Sequence, residues 1–153
     1  MDAKLINPFI KSTINVLETM AFVKCKAGKP YLKKDAVAQG DVTGVIGLTG
    51  EANGTVSVTF DKGSILKIVS NMFGEQMEEL NSEVADAVGE LTNMISGQAR
   101  RELEEINRVF EAAIPSVISG EKHQITHYTD GPKIAIPFTV DGGKFTIEVC
   151  IDG

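Results

Sequence analysis

The chain has 153 residues, of which 42% are hydrophobic and 24% charged, and its formal net charge is −6. This length and composition predict a single globular domain spanning residues 1–153, with a hydrophobic core of its own. A diffuse acidic balance argues against unaided nucleic-acid binding, which requires lysine and arginine side chains to neutralise phosphates.

The N-terminus and the cysteines show no sign of export or membrane insertion. No apolar run approaches the roughly 20 residues that a membrane-spanning helix needs. The opening segment, MDAKLINPFIKST, lacks the basic-then-apolar pattern of a signal peptide. Cys25 and Cys150 lie far apart in apolar settings and form no Cys-x-x-Cys motif, which favours two reduced, buried thiols. We therefore expect a cytoplasmic protein without membrane association.

The first part of the chain predicts a helix followed by a hairpin. The helix is predicted to start near Asn7, with Pro8 in its first turn. Its apolar stripe comprises Phe9, Thr13, Val16, Leu17 and Met20. Residues 30–41 predict a short strand. The segments VTGVIGLTG and GTVSVTFD are rich in β-branched residues and flank EANG, which predicts a hairpin turning at Asn53-Gly54.

Two more helices and a group of strands follow. KGSILKIVSNMFG predicts a short helix, with Ser64 as the candidate N-cap and Gly74 as the stop. A long helix is capped by Asn81 or Ser82 and ends near Asn107. The segments PSVISG, HQITHYT, PKIAIPFTV and KFTIEVCID then predict strands and turns, with DGG at 141–143 as a second hairpin turn.

Two motif-like stretches predict no ligand site. His123 and His127 fall on one face of a predicted strand but about 13 Å apart along it, too far for one metal ion. GLTGEANG is rich in glycine but lacks the Gly-Lys-Ser/Thr ending of a phosphate-binding loop. We therefore expect neither a metal site nor a nucleotide site.

The order helix, strands, helix, helix, strands suggests an internal duplication. STINVLETM (12–20) aligns without gaps on DAVGELTNM (86–94), and TVSVTFD (55–61) aligns on TIEVCID (146–152). The chain is therefore predicted to form an α+β fold. Two helix-plus-strands units build a pseudo-symmetric, mostly antiparallel sheet, with the two long helices packed on one face.

The long helix carries two stripes on opposite sides. The apolar stripe is formed by Val84, Val88, Leu91 and Ile95. The second stripe has the same spacing and is formed by Asp86, Glu90, Asn93 and Gly97. It lies about 200° from the first, so we expect Glu90 and Asn93 to point side by side into solvent.

The second stripe is not composed for helix stability. Asn93, Gly89 and Gly97 all cost stability relative to good helix formers such as alanine. Glycines at 89 and 97 leave room for another molecule to approach Glu90 and Asn93. A solvated face with an incidental asparagine is the alternative, and the spacing alone does not exclude it.

Two arginines follow the stripe. Arg100 and Arg101 stand among acidic residues in QARRELEEI. Ion pairs within the helix are expected for them. A contact with an acidic partner is the alternative.

Asp86, Glu90, Asn93 and Pro115 resemble the motif of the CheC/CheX/FliY family of chemotaxis phosphatases: Asp or Ser, three residues, Glu, two residues, Asn, and a proline about one helix further on. GVIGLTGEANGTVSVTF resembles the family's first hairpin, and PSVISGEKHQI resembles its return to the sheet. These segments together cover most of the chain.

The duplication indicates which members of the family the chain resembles most. The alignment places Val16 and Thr19 opposite Glu90 and Asn93, so the first helix lacks the pair that CheC-like members carry twice. One motif helix in a short chain is most similar to the CheX-like members. FliY-like members carry a further domain, for which this chain has no room.

The resemblance implies a CheC-like fold and hydrolysis of the aspartyl phosphate of a CheY-like response regulator. It implies that Asn93 orients the attacking water and that Glu90 docks the helix through an ion pair with a receiver lysine. Asp86 is expected to make a minor partner contact, and Gly89 and Gly97 are expected to line the approach. The Mg²⁺ belongs to the receiver, so no cofactor of the chain's own is expected. The resemblance also implies a homodimer formed through the sheet.

Two other functions are open at this point. A binding module of the same fold could hold a receiver or a chemotaxis complex without turnover, but it would be free to lose Asn93. A structural dimeric domain with no receiver partner predicts that changes at Glu90 and Asn93 alter only helix stability. The presence of both residues favours the phosphatase.

Overall fold

A computed structural model describes residues 3–120, 123–125, 131–141 and 143–151. It contains three helices, α1 (Ala3–Ala21), α2 (Lys62–Phe73) and α3 (Ser82–Glu104). Its strands are β1 (Cys25–Ala27), β2 (Tyr31–Lys33), β3 (Val42–Gly50), β4 (Gly54–Phe60), β5 (Phe110–Ala112), β6 (Ser116–Ser119), β7 (Lys133–Val140) and β8 (Gly143–Ile151). Across the described ranges, each helix is too short or too polar to cross a membrane.

All strands join one antiparallel sheet. Its order is β1-β7-β8-β4-β3-β5, and β2 also pairs with β7 while β6 pairs with β3. One face carries apolar side chains such as Val56, Val58 and Ile147, which form a single core with all three helices. This arrangement confirms the predicted α+β fold with helices packed on a mostly antiparallel sheet.

The other face of the sheet is buried but largely polar. Its central strands present Thr55, Ser57 and Thr59, which are fully buried. Lys33 and Glu148 form a buried ion pair on this face, with 2.6 Å between Nζ and Oε2. The attraction between the two charges and the hydrogen bonds from Lys33 Nζ to Glu148 and to the Val37 carbonyl offset the cost of removing them from water.

The strands confirm the predicted duplication. β1 and β2 flank β7 in the same way that β5 and β6 flank β3. At the centre of the sheet Ser57 pairs with Glu148, and these are equivalent positions in the predicted alignment of β4 on β8. A pseudo-two-fold axis therefore passes through this residue pair.

The predicted alignment of the two long helices is wrong. It places Val16, which is fully buried, opposite Glu90, which is exposed. The burial patterns match in another register, in which Leu5, Ile6, Phe9, Ser12, Thr13 and Val16 correspond to Val88, Gly89, Thr92, Ile95, Ser96 and Ala99. An ungapped alignment of nine residues with few identities could not find this register, because only burial against the sheet distinguishes one helical turn from the next.

The corrected register agrees with the axis defined by the strands. α1 and α3 run antiparallel, as two contacts show. Lys11 pairs with Glu102, and Asn15 donates from Nδ2 to Gln98 Oε1 at 2.9 Å. Asn15 and Gln98 are equivalent residues in this register, so the axis also passes between them. The counterparts of Glu90 and Asn93 on α1 become Asn7 and Ile10. The conclusion that α1 lacks the pair is unchanged.

The helix boundaries depart from the predictions in two places. α1 begins at Ala3, ahead of the predicted Asn7, because Leu5 and Ile6 are buried in the core. Pro8 therefore lies inside the helix, where it lacks the N–H for one backbone hydrogen bond. α2 is capped by Asp61, whose Oδ1 accepts from the Ser64 N–H at 2.8 Å, so Ser64 is not the cap.

The remaining helix ends match the predictions. Gly74 ends α2 with φ 68°. Asn81 caps α3 by accepting from the Val84 N–H at 3.0 Å. Beyond Glu104 the chain turns through Asn107, which has φ 63° and occupies the predicted end of the helix. Left-handed backbone of this kind is where glycine and asparagine are favoured.

Two features of the strands differ from expectation. Gly54 is already part of β4, where it pairs with Leu48, so the turn is not a tight Asn53-Gly54 reversal. β1 and β5 were not predicted, since three-residue strands carry too little periodicity. Of HQITHYT, only 123–125 are described, with Gln124 bridging Val37; His127 lies outside the described residues.

Candidate functional site

α3 is held against the sheet by a close contact with β3. The Thr92 hydroxyl donates to the Val88 carbonyl at 2.7 Å, which keeps this side chain folded against its own helix. Directly opposite is Gly44, where an added Cβ would lie 3.0 Å from Thr92 Cβ and 3.3 Å from Val88 Cγ1. A glycine at 44 therefore lets the helix approach the sheet, and this contact sets which side of α3 faces outward.

The outward side of α3 carries the predicted polar stripe. Asp86, Glu90 and Asn93 are all exposed, as the helical spacing predicted, while the apolar stripe is fully buried. Over the described part of the chain, none of these three side chains hydrogen-bonds or ion-pairs with another protein group. Because three residues separate Glu90 from Asn93, the two side chains are neighbours on the helix surface.

The two glycines expected to clear this surface differ. Gly89 is buried beneath β6, where an added Cβ would lie 3.5 Å from Val117 Cγ2. The expectation that Gly89 lines the exposed approach is therefore wrong, because its position on the helix turns toward the flanking strand. Gly97 is half-buried, and an added Cβ would find only arginine side-chain nitrogens within 4 Å.

Those nitrogens belong to Arg100 and Arg101. Nη2 of Arg100 and Nη1 of Arg101 each lie 3.9 Å from the position of a Gly97 Cβ. Neither guanidinium forms an ion pair within the described ranges. The expected pairing with acidic residues of the same helix is therefore wrong, since both side chains extend back toward Gly97 and the motif.

Pro115 lies in the connection between β5 and β6 and is half-buried. β6 passes beside α3 through the contact of Val117 with Gly89. The proline of the motif thus lies in the segment that leads into the strand next to the motif helix.

The site is a convex helix surface. A groove of about 780 Å³ is present elsewhere, lined by residues such as Phe22, Leu66 and Met77, and its lining contains none of the motif residues. In the ranges that the structure describes, His, Cys, Asp and Glu side chains nowhere cluster in threes that could hold a metal ion. An exposed carboxylate and an exposed amide that bind no other side chain of the described chain, on a helix packed against the sheet, suit recognition of another macromolecule.

Comparison with known proteins identifies the family of the chain. The family described as Chemotaxis phosphatase CheX matches residues 42–139. The CheY-P phosphatase CheX of Thermotoga maritima is 29% identical over 141 residues, which are 92% of this chain and 90% of that protein.

Solved structures give the same answer for the fold. A CheC-like superfamily protein from Shewanella sp. PV-4 superposes with a TM-score of 0.94 at 47% identity, covering 100% of both chains. The CheX–CheY–BeF3–Mg²⁺ complex of Borrelia burgdorferi contains a chain that superposes with a TM-score of 0.82 at 27% identity, covering 97% of each chain. Since the family match covers more than half of its length, this chain belongs to the CheX family of chemotaxis phosphatases.

Proposed function

We propose that the chain hydrolyses the aspartyl phosphate of a CheY-type response regulator. The observation that carries the proposal is the exposed pair Glu90 and Asn93, which has no partner in the described ranges and lies on a helix whose opposite side is fully packed. The relatives support it, because one is named as a CheY-P phosphatase and another forms a complex with CheY.

Asn93 is the residue that positions the attacking water. Phosphoryl transfer requires little covalent work from the protein, so catalysis depends mostly on placing a nucleophile in line with the bond that breaks. An amide both donates and accepts hydrogen bonds and does not titrate, so it can hold a water in one orientation. Since Asn93 makes no bond within the described chain, its amide is available for that water.

Glu90 is the docking residue. A carboxylate next to a phosphoryl group is repelled by it, which makes Glu90 a poor general base. An ion pair between Glu90 and a receiver lysine is directional and strong enough to set the register of α3 on its partner. The Mg²⁺ ion belongs to the receiver, where carboxylates and the phosphoryl group bind it. Asp86 adds a minor contact one turn before Glu90. Gly97, over which the side chains of Arg100 and Arg101 lie, adds no side chain of its own beside Asn93.

A homodimer formed through the sheet is part of the proposal. Exposed apolar side chains lie at both ends of the sheet, Tyr31 and Leu32 on β2 and Ile114 and Ile118 around β6. Apolar surface at a sheet end is characteristic of protein–protein contacts. Light scattering at several concentrations measures the oligomeric state, and a monomer throughout contradicts the dimer.

The test is the decay of a phosphorylated CheY-type receiver in the presence of Mg²⁺. We expect the wild-type chain to accelerate decay, Asn93→Ala to lose the acceleration while still binding, and Glu90→Gln to raise KM. Asn7→Ala is the matched control, because Asn7 is the exposed counterpart of Glu90 on α1. Binding is measured separately with the receiver's beryllofluoride form, which imitates the phosphoryl group.

The binding-module alternative makes a different prediction for the same assay. If the wild-type chain binds the receiver and leaves its phosphate decay unchanged, the phosphatase proposal is wrong and the chain is a binding module. If neither decay nor binding responds to changes at Glu90 and Asn93, a role without a receiver partner is favoured.

A further inference from the structure

Two arginines without an acidic partner among the described residues lie next to the motif, in a chain whose net charge is negative. The formal net charge is −6, yet neither Arg100 nor Arg101 has an acidic partner in the part of the chain that the structure describes. Both guanidinium groups lie over Gly97, one helical turn beyond Asn93. The Nε of Arg100 is buried, and the described residues give it no hydrogen-bond partner.

The arginines do not take the partners that the helix offers. Glu104 follows Arg100, and Glu105 follows Arg101, at the spacing typical of ion pairs within a helix. Both side chains instead point toward the N-terminal end of α3, the usual direction for long side chains in helices. Gly97 has no side chain to obstruct them, so the two cations are held beside the motif.

The duplicated fold shows that the scaffold does not require these cations. In the corrected register the counterparts of Arg100 and Arg101 on α1 are Leu17 and Glu18. Leu17 is fully buried and Glu18 is an exposed acid. The equivalent place on the same architecture therefore has no positive charge, which indicates that the arginines serve something particular to α3.

We propose that Arg100 and Arg101 form an anion-binding dock for the carboxylates around the Mg²⁺ site of the receiver. This inference rests on the proposed phosphatase function and names the second half of its docking surface. The outer side of α3 is then polarised along its length. Asp86 and Glu90 offer negative charge at one end, Asn93 lies in the middle, and the arginines offer positive charge beyond it, ahead of the exposed Glu104 in the last turn.

The polarity fixes one orientation of the partner. Carboxylates hold the receiver's Mg²⁺, and the proposed ion pair places a receiver lysine against Glu90. With the lysine there, the polarity of α3 favours the orientation in which the carboxylates lie toward Gly97, where the guanidinium groups can donate to carboxylate oxygens that the metal leaves free. Reversing the partner would place like charges together at both ends, which strongly disfavours that complex.

The test is the kinetics of phosphoreceiver hydrolysis by the Arg100→Gln/Arg101→Gln double variant. We expect KM to rise about tenfold at low salt while kcat stays within about twofold, since charges at the rim of an interface act mainly on association. The variant should also lose most of the salt dependence of kcat/KM. Lys26→Gln/Lys29→Gln is the matched control, because it removes two exposed cations from the far end of the sheet.

A purely local role makes the opposite prediction. Arginines near the C-terminal end of a helix interact favourably with its dipole. If that is their only role, the Arg100→Gln/Arg101→Gln variant has a lower Tm, and its KM and the salt dependence of its kcat/KM are unchanged. That result overturns the dock. Arg100→Lys/Arg101→Lys keeps both charges and should recover most of the salt dependence but only part of the affinity, because lysine lacks the planar fork.

The outcomes separate this inference from the proposed function. If the wild-type chain accelerates hydrolysis and the arginine variant matches it at every salt concentration, only the dock is wrong. If the wild-type chain does not accelerate hydrolysis but binds the beryllofluoride receiver, binding of the variants still tests the dock. If the wild-type chain does neither, the proposed function and the dock are both overturned.

Discussion

α1 and α3 occupy equivalent places in one duplicated architecture, and their outer sides differ in the side chains that they carry. Lys11 pairs with Glu102 and Asn15 bonds to Gln98 along the line where the two helices meet, so these polar groups of both helices are used. On α3, Glu90 and Asn93 have no such partner among the described residues. The inner sides are alike in burial.

The residues that build the scaffold and the residues that form the site can therefore vary independently. Burial against the sheet sets the inner sequence of both helices, and the outer sequence is free to differ. Where α3 carries Glu90, Asn93 and Gly97, α1 carries Asn7, Ile10 and Ile14. The copy without the pair is thus an internal control for every experiment on the copy that has it.

The largest expected effect comes from giving α3 the residues of α1. Glu90→Asn with Asn93→Ile should lower the stimulated rate of receiver dephosphorylation at least about 100-fold, because water positioning and docking are both lost. Circular dichroism should show an unchanged fold, since both positions are exposed. A rate near that of the wild type contradicts the role of the pair.

The reverse graft tests whether a Glu/Asn pair is sufficient for activity on α1. Asn7→Glu with Ile10→Asn, placed in that inactive background, should restore little activity. On α1 the counterpart of Gly97 is Ile14, and Pro8 adjoins the grafted residue, so the surface stays obstructed. Full recovery in the phosphate-decay assay would mean that the pair alone is sufficient.

The next largest effect is expected from a change at Gly44, where β3 contacts Thr92 of α3. Gly44→Ala should cost about 2 kcal/mol of unfolding free energy, because its Cβ overlaps the Thr92 hydroxyl against the packed sheet. Gly89→Ala is the matched glycine control. Its Cβ makes only an ordinary contact with Val117, so relief of helical glycine should stabilise by about 0.5–1 kcal/mol. Urea denaturation measures both, and equal losses would contradict the seating role.

A smaller effect, on thiol reactivity and on the pH dependence of stability, is expected for Cys25. Burial raises its pKa from 9.0 to about 11. Its alkylation at pH 8 should therefore be at least about tenfold slower than in the unfolded chain. The unfolded chain ionises this thiol first, so stability should fall as pH rises from about 9 to about 11. Cys25→Ala should remove that part of the pH dependence, and a thiol that reacts as fast as in urea contradicts the assignment.

The smallest effect is expected for the ion pair between the helices. Glu102, as a hydrogen-bond and charge partner, raises the pKa of Lys11. The Lys11 side chain is nevertheless 78% exposed, and exposed pairs contribute little to stability. Lys11→Ala should leave Tm and phosphatase activity unchanged within error. A clear loss in either would show that this contact between α1 and α3 also supports the site.

Local sequence patterns predicted most of the fold. The long helices, the two hairpins, Asn81 as a cap and Gly74 as a stop follow from periodicity and from residues that act on their own backbone. β1 and β5 did not emerge, because they exist only through pairing with β7 and β3. Residues of the site were predicted from helical spacing, and Glu90 and Asn93 are exposed as expected.

Glu90 and Asn93 share an outward stripe because 3.6 residues per turn leaves no other arrangement once Val88 and Leu91 face the core, so local sequence is enough to predict it. Tertiary packing, in contrast, covers Gly89 with β6, turns the arginines toward Gly97 and makes Asn7 the counterpart of Glu90. Each of these depends on which element packs beside the helix. Such contacts join residues far apart in the chain, and no local period encodes them.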